Sequence, residues 1–239
     1  TVVGATLGCA TALPGYFQAM RAVCDRHGAL LILDEVMSGM GRTGTLHAWE
    51  QEGVSPDIQV IAKGLGGGYQ PIGGILVHGR VVETLKRGTG TFKHGHTYQA
   101  HPVACAAALA VQEVIAEENL LANVQTMGAL LERGLMERLG NHRHVGDIRG
   151  RGLFWAVEFV QDRARKSTFD PALAVNERIK HAAFAHGLAC YPMGGTIDGK
   201  HGDHVILSPP YIVNARDVEM IVERFGAAVD EVFAGFPKG

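Results

Sequence analysis

Lys63 is the first residue whose position suggests chemistry, because it follows a short apolar run and precedes several glycines in the stretch DIQVIAKGLGGGYQPIGG. An ammonium group at the end of a buried strand is costly to desolvate, which favours a neutral, nucleophilic amine of the kind that forms a Schiff base. The long side chain could instead reach from the strand end to water. The pattern therefore predicts a reactive lysine and leaves a solvated one as the alternative.

Four glycines follow that lysine, at Gly64, Gly66, Gly67 and Gly68. They would let the backbone turn sharply and pass close to a flat ligand, although a tight connection between strands also needs some of them. The order of residues differs from the dinucleotide fingerprint GxGxxG and from the P-loop, in which the lysine follows the glycines. The glycine run alone does not identify a ligand.

Asp34 is the second candidate, because it ends the apolar run ALLILD. A carboxylate at a strand end often does no more than cap the next turn. A strand-end lysine together with a strand-end carboxylate is, however, the pair that a pyridoxal 5'-phosphate enzyme requires. The lysine holds the aldehyde carbon of that cofactor, and the acid keeps its pyridine nitrogen protonated.

Two further groups of residues allow other chemistry. His94, His96 and His101 include an HxH pair and could ligate zinc, although loop histidines before a helix usually serve structural hydrogen bonding. Arg149 and Arg151 could bind a substrate carboxylate, and a salt bridge at the entry to a strand is the alternative. Both alternatives stay open at the level of the sequence.

The elements that must position these residues follow from the apolar pattern. Residues 14–28 begin with a proline, carry apolar residues at helical spacing and end in glycine, which predicts a helix. The runs ALLILDE, IQVIA and GGILVH are typical of buried strands, so the first hundred residues indicate an α/β layer architecture. Residues 101–116 and then ENLLANVQTMGALLERGLMERL predict two helices that connect domains.

Beyond residue 141 the pattern changes to isolated strands, GLFWAVEFV and HVILS, between helices such as AVNERIKHAAFAHG. This alternation is typical of a smaller α+β domain. We therefore predict a larger domain over residues 1–120, which includes the interdomain helix, and a small C-terminal α+β domain over residues 121–239.

The composition favours a small-molecule partner. Among 239 residues, 22 basic and 24 acidic side chains nearly cancel and form no long run, so neither nucleic acid nor a membrane surface is indicated. The four scattered cysteines form no CxxC pair, which fits a reducing cytoplasm. No stretch approaches a membrane span, and the start lacks methionine, which suggests that the chain begins inside a longer protein.

Four stretches together carry a family resemblance: LLILDEVMSGMGRTG, DIQVIAKGLGGGYQPIGG, HGHTYQAHPVACAAA and HVILSPP. They resemble the class III aminotransferases, which are pyridoxal phosphate enzymes of fold type I, over nearly the whole chain. The resemblance implies a three-layer αβα fold with a mostly parallel sheet, of which residues 1–120 are the remainder of the large cofactor-binding domain. The chain then corresponds to the C-terminal half to two-thirds of the family's length, without the N-terminal part that holds most of the phosphate site.

Carried over residue by residue, the resemblance makes Lys63 the internal aldimine lysine and Asp34 the partner of the pyridine nitrogen. Val36 becomes the residue that packs on one face of the ring. Thr97 matches the threonine that reaches the cofactor phosphate of the neighbouring subunit, which implies a homodimer with shared active sites. The other residues of the signature are interpreted as loop structure: Glu35, Ser38, Gly41, Arg42 and Gly44.

The resemblance implies transamination from an amine donor to a 2-oxo acid such as pyruvate. Ile206 stands where relatives that act on ornithine-like substrates have a carboxylate-binding arginine, and the stretch YPMGGTIDGKHGDHVILSPPYIV is more similar to ω-amino acid or amine:pyruvate transaminases. Three alternatives remain: an aminomutase or decarboxylase built on the same fold, a zinc hydrolase, and a non-catalytic fragment or subunit.

Overall fold

The computed structural model describes residues 1–236 of the chain. Nine strands and six helices lie in this part of the chain. The strands are β1 (Val3–Gly4), β2 (Ala10–Thr11), β3 (Ile32–Asp34), β4 (Ile58–Ile61), β5 (Gly74–Val77), β6 (Val145–Arg151), β7 (Phe154–Phe159), β8 (Tyr191–Gly194) and β9 (Asp203–Leu207). The helices are α1 (Tyr16–His27), α2 (Gly79–Arg87), α3 (Pro102–Glu117), α4 (Leu120–Leu139), α5 (Val175–Ala185) and α6 (Ala215–Ala234).

The chain forms two compact units. Unit 1 contains Thr1–Val2 and Ala12–Leu121, and unit 2 contains Val3–Thr11 and the chain from Ala122 onward. The change of unit near residue 121 lies beside the predicted boundary, and the assignment of residues 1–120 and 121–239 to two domains stays a prediction. Within residues 1–236, none of the helices combines the length and apolarity that a membrane crossing requires.

Unit 1 contains a three-stranded sheet with the order β3-β4-β5. Strands β3 and β4 are parallel, and β5 runs antiparallel to β4. Helix α1 precedes the sheet and ends at Gly28, whose φ of 63° lies in the left-handed region that glycine tolerates. The parallel pair places the carboxyl ends of β3 and β4 at one edge, which is where ligands bind to open α/β sheets.

Unit 2 is built on a four-stranded antiparallel sheet with the order β6-β7-β9-β8. Helices α4, α5 and α6 supply the other side of one contiguous apolar core, whose fully buried members include Leu131, Phe159, Ile179 and Phe225. Helix α6 begins with a capping box, in which the side chains of Asn214 and Asp217 each accept the other's backbone N–H. Strand β7 is buried at five of its six positions, as expected for the centre of such a core.

A short N-terminal segment also belongs to unit 2. Strands β1 and β2 pair with each other, and β2 lies beside β6. The Arg149 guanidinium donates to the carbonyl oxygens of Gly8 at 2.7 Å and Leu7 at 3.0 Å, and so ties this segment to β6. The sequence pattern did not predict this arrangement, because strands of two residues carry no periodic signal.

Candidate active site

Asp34 and Lys63 lie at the same edge of the sheet in unit 1. Asp34 is the last residue of β3 and pairs in register with Val60 of β4. Lys63 lies three positions after Val60, just beyond the end of β4 at Ile61. Because the two strands are parallel, both polar residues emerge at their common carboxyl edge, as the sequence predicts.

The backbone of Lys63 has an uncommon conformation. Its φ of 44° lies in the left-handed region, which residues other than glycine rarely adopt. A 3-10 turn over Lys63–Leu65 holds it there, with the Leu65 N–H donating to Ala62 at 2.9 Å and the Gly66 N–H donating to Lys63 at 3.1 Å. Strain of this kind is characteristic of functional positions, where the surrounding structure maintains it.

The environment of Lys63 differs from the expected buried amine. The lysine is exposed in the described chain, because β4 ends at Ile61 and the 3-10 turn carries Lys63 away from the sheet. The alternative, in which the side chain reaches water from a strand end, therefore describes this chain better.

The glycines after Lys63 serve the tight connection itself. A Cβ added at Gly66 would lie 2.8 Å from the Gln70 carbonyl oxygen and 2.8 Å from the Ile72 side chain, so only glycine fits there. The turn is also fastened to helix α3, because the Gln112 side chain donates to the Leu65 carbonyl at 3.1 Å. These contacts keep the segment after the lysine in one conformation.

Asp34 presents its carboxylate to the open edge. The side chain is exposed, and its Oδ1 accepts the backbone N–H of Val36 at 3.0 Å. Among the described residues, none donates to Oδ2. The residues at this edge fit a flat cationic ring that is bound to the protein through one carbon. Asp34 offers a carboxylate with a free oxygen, Val36 a half-buried apolar side chain and Lys63 an exposed primary amine.

Glu35 is buried between exposed Asp34 and half-buried Val36, and its carboxylate is the centre of a hydrogen-bond network. Its exposed fraction is 0 %. Its carboxylate accepts the backbone N–H groups of Ala48 at 2.8 Å and Trp49 at 2.7 Å, and the Gln59 amide at 2.8 Å. These bonds give Glu35 structural partners, which the interpretation of the signature as loop structure did not identify.

Gln59 extends this network to a histidine. Its Oε1 accepts the indole N–H of Trp49 at 3.0 Å, and its Nε2 also contacts Nδ1 of His47 at 2.9 Å. Burial lowers the pKa of His47, opposed by the charge of Glu50, and so favours a neutral ring that accepts the amide proton. The His47 ring stacks on Trp49 with centroids 5.4 Å apart. Every polar atom of the Gln59 side chain is thereby satisfied.

Thr97 and the neighbouring histidines lie on the surface before α3. Thr97 is exposed in the turn over residues 97–100. His96 Nδ1 accepts the Tyr98 backbone N–H at 3.2 Å, which is the structural role considered for these histidines. Within residues 1–236, no group of three or more potential metal-binding side chains comes together.

Arg149 is occupied by structural partners. Its Nε and Nη2 donate to the two carbonyls of the N-terminal segment. Its Nη1 pairs with Asp147 at 3.0 Å and with Glu158 at 2.5 Å. The salt-bridge alternative therefore describes Arg149, and the structure offers no support for a substrate carboxylate at this guanidinium.

Comparison with curated proteins gives relatives that are aminotransferases. An uncharacterized aminotransferase of Schizosaccharomyces pombe is 50 % identical over 99 % of this chain and 52 % of its own length. The diaminobutyrate–2-oxoglutarate transaminase of Halomonas elongata is 38 % identical over 91 % of this chain and 46 % of its own length. The chain spans about half the length of the curated relatives it matches.

Solved structures give the same result for the fold. A transaminase from the marine bacterium Virgibacillus superposes with a TM-score of 0.91 at 35 % identity, over 96 % of this chain and 51 % of that one. An amine transaminase from an uncultivated Pseudomonas species, solved in its PLP-bound internal aldimine form, gives a TM-score of 0.88 at 35 % identity, over 96 % and 51 %. These likenesses confirm the predicted α/β architecture of fold type I.

The family model for class III aminotransferases matches residues 2–229, which is nearly the whole chain. This match confirms the resemblance noted in the sequence. The chain belongs to the class III aminotransferases.

Proposed function

We propose that the protein containing this chain is a pyridoxal phosphate-dependent transaminase that moves an amino group from an ω-amino acid or amine donor to a 2-oxo acid such as pyruvate. The observation that carries the proposal is the meeting of Asp34 and Lys63 at the carboxyl edge of two adjacent parallel strands. The cofactor, when bound, supplies the electron sink for the carbon from which a proton is removed.

The residues of the chain have separable roles in this proposal. Lys63 tethers the cofactor and, once displaced by the donor amine, accepts a proton from the substrate carbon and returns it to the cofactor side. The free Oδ2 of Asp34 binds the protonated ring nitrogen, and Val36 packs against one face of the ring.

Thr97 supports a further part of the proposal. It lies on an exposed turn, where a partner subunit could reach it. We propose that Thr97 reaches the cofactor phosphate across a homodimer. The expected cytoplasmic location rests on four free cysteines, of which Cys9 and Cys190 have pKa values raised by burial to about 12 and about 11.

The absorbance spectrum of the complete protein tests the assignment. A visible band that borohydride removes, with the reduced label fixed on the peptide containing Lys63, is the expected result. Lys63→Ala should lower kcat by about 10⁴-fold or more, since both the tether and the base are lost. Lys86→Ala, which removes an exposed lysine of α2, is the matched control and should retain activity. Near-normal turnover in Lys63→Ala would contradict the proposal.

The half-length match favours one alternative, namely that the chain alone lacks enough of the site to act. A spectroscopic titration with pyridoxal phosphate, performed on residues 1–239 and on the complete protein, tests whether this chain is sufficient to bind the cofactor. A band only in the complete protein would place essential cofactor contacts outside this chain. A donor screen would then separate transamination from the aminomutase and decarboxylase alternatives by its products.

A further inference from the structure

We propose that Glu35 is a positioning residue for the cofactor site: it anchors the end of β3 from the buried side so that Asp34 and Val36 are held in place on the opposite side. This inference rests on the proposed function, because it concerns how the same site is kept in its working geometry. The contacts that carry it all lie within unit 1.

The burial pattern places the Glu35 side chain on the inner side, just past the end of β3. Leu33 is buried and Asp34 is exposed within the strand, and this alternation continues into the turn, where Glu35 is fully buried and Val36 is half-buried. The Glu35 N–H donates to the Val60 carbonyl at 2.9 Å and so continues the pairing of β3 with β4 one residue past Asp34. Any shift of Glu35 therefore moves the backbone on both sides of it.

The carboxylate of Glu35 ties this strand end to two separate parts of unit 1. Two of its bonds go to the backbone N–H groups of Ala48 and Trp49, which lie 13 and 14 residues along the chain at the start of a 3-10 turn. The third goes to Gln59 in the centre of β4. The loop that leaves the site and the strand that leads to Lys63 are thus joined through one side chain.

All three partners of Glu35 donate hydrogen atoms, so the site is complementary to a carboxylate. A glutamine at position 35 would direct its amide hydrogens at one of those donors and leave at least one buried N–H without an acceptor. The substitution keeps the size of the side chain nearly unchanged. It therefore tests the hydrogen bonds rather than the packing.

Gly39 gives an independent way to disturb the same residue. A Cβ added there would lie 2.9 Å from the Glu35 carbonyl oxygen and 3.0 Å from both Cβ and Oε2 of Glu35. Such contacts are shorter than the structure can accept without a shift of Glu35. Gly39 does not take part in the bonds of Asp34 or Lys63, so its effect on the site would pass through Glu35.

The first experiment compares Glu35→Gln with Asp57→Asn in the complete protein. Asp57 is also a buried acid of unit 1, but it lies at the amino end of β4, away from the Lys63 edge. Three quantities are measured at a temperature at which circular dichroism shows every variant folded: the dissociation constant of pyridoxal phosphate, the pH midpoint of the visible band, and kcat. The midpoint follows protonation of the imine nitrogen, which depends on the charge that Asp34 keeps on the ring, and a loss of stability alone would not move it.

Glu35→Gln is expected to weaken cofactor binding and to lower kcat by about ten- to a hundredfold, with a shifted pH midpoint, because an active site is sensitive to displacements well under 1 Å. KM for the donor should change little. Asp57→Asn should leave all three site properties near those of the wild type. Equal behaviour of the two variants would overturn the inference.

The second experiment compares Gly39→Ala with Gly79→Ala and covers the case in which Glu35→Gln does not fold. A Cβ at Gly79 meets no atom within 4 Å, so this variant controls for the added methyl group. Gly39→Ala should shift the pH midpoint in the same direction as Glu35→Gln. An unshifted midpoint in Gly39→Ala would overturn the inference.

The controls also separate this inference from the function on which it rests. If the wild-type protein shows no borohydride-sensitive band on Lys63, the proposed function fails and the positioning role fails with it. If the wild type shows that band and the Glu35 and Gly39 variants keep its pH midpoint and affinity, only the positioning role fails.

Discussion

Asp57 and Glu35 are both buried carboxylates of unit 1, with exposed fractions of 3 % and 0 %, yet their partners differ in charge. Asp57 accepts hydrogen bonds from the guanidinium groups of Arg21 at 2.8 Å and Arg80 at 2.6 Å, and from the Leu31 N–H at 2.8 Å. Glu35 accepts bonds only from two backbone N–H groups and an amide. One acid is neutralised by cations and the other by dipoles.

The two environments act on the pKa values in opposite directions. Burial tends to raise the pKa of Asp57, but the two arginines and a backbone donor outweigh it and lower that pKa to about 2. Burial also raises the pKa of Glu35, and its uncharged donors oppose the change only in part. Folding therefore stabilises the ionised form of Asp57, whereas it disfavours the ionised form of Glu35.

The difference in partners corresponds to a difference in position. Asp57 lies at the amino end of β4, where it joins the strand to α1 and α2 through arginines. Glu35 lies next to Asp34, where a buried cation would compete for the carboxylate that is proposed to hold a protonated ring nitrogen. Uncharged donors fix the strand end without adding that competing charge.

The largest effect in this comparison is expected for Asp57→Asn. Loss of the carboxylate leaves Arg21 partly buried without its main partner, which should lower the free energy of unfolding by about 3 kcal/mol. Glu35→Gln should lower the free energy of unfolding by about 1 to 2 kcal/mol, because the bonds that are lost come from uncharged donors. Chemical denaturation of both variants checks the order. A larger loss for Glu35→Gln would reverse the comparison.

A smaller effect separates the two acids by the pH dependence of stability. The pKa of Asp57 falls on folding from 3.8 to about 2, so its contribution is present above pH 3.8 and is lost as the pH falls toward 2. The pKa of Glu35 rises on folding from 4.5, so stability should decrease as the pH rises above 4.5. The contributions of the two acids to the slope of stability against pH therefore have opposite signs.

Urea denaturation over a pH series measures these slopes. Asp57→Asn should remove part of the loss of stability between about pH 4 and pH 2, and Glu35→Gln should remove part of the decline above pH 4.5. If both substitutions reduce the pH dependence of stability over the same pH range, the two carboxylates do not differ in the way described.

The smallest effect is expected for Arg80→Ala. The Arg80 side chain is 51 % exposed and shares Asp57 with the more buried Arg21, so water can replace much of its interaction. The free energy of unfolding should fall by about 1 kcal/mol or less. Chemical denaturation of Arg80→Ala and Arg21→Ala measures this difference. An equal loss of unfolding free energy in the two variants would show that exposure does not weaken the interaction of Arg80 with Asp57.

The sequence was sufficient to locate the edge that carries Asp34 and Lys63, because short apolar runs ending in polar residues mark the carboxyl ends of buried strands. It was not sufficient for the burial of Lys63, since the 3-10 turn that turns this residue outward depends on contacts with Gln112, 47 residues beyond Leu65. The role of Lys63 as a cofactor lysine stays a prediction that the borohydride experiment tests.

Glu35 shows why part of the site was missed. Its partners lie 13 to 24 residues away along the chain, and no local pattern relates them. One signal was available: side chains alternate along a strand, so if Asp34 at its end faces a ligand, Glu35 next to it faces inward and needs hydrogen-bond partners. The same reasoning applies to Asp57, whose arginine partners are 36 and 23 residues away.

The division of the chain between the two units has a consequence for the order of folding. Residues 3–11 and the chain from residue 122 form one unit, with residues 12–121 between them. The bond from Arg149 to Gly8 joins residues 141 positions apart, so it closes a very long loop. Residues 3–11 cannot take their place in unit 2 until β6 has been synthesised. Their pairing with β6 is therefore a non-local step, which should be slow.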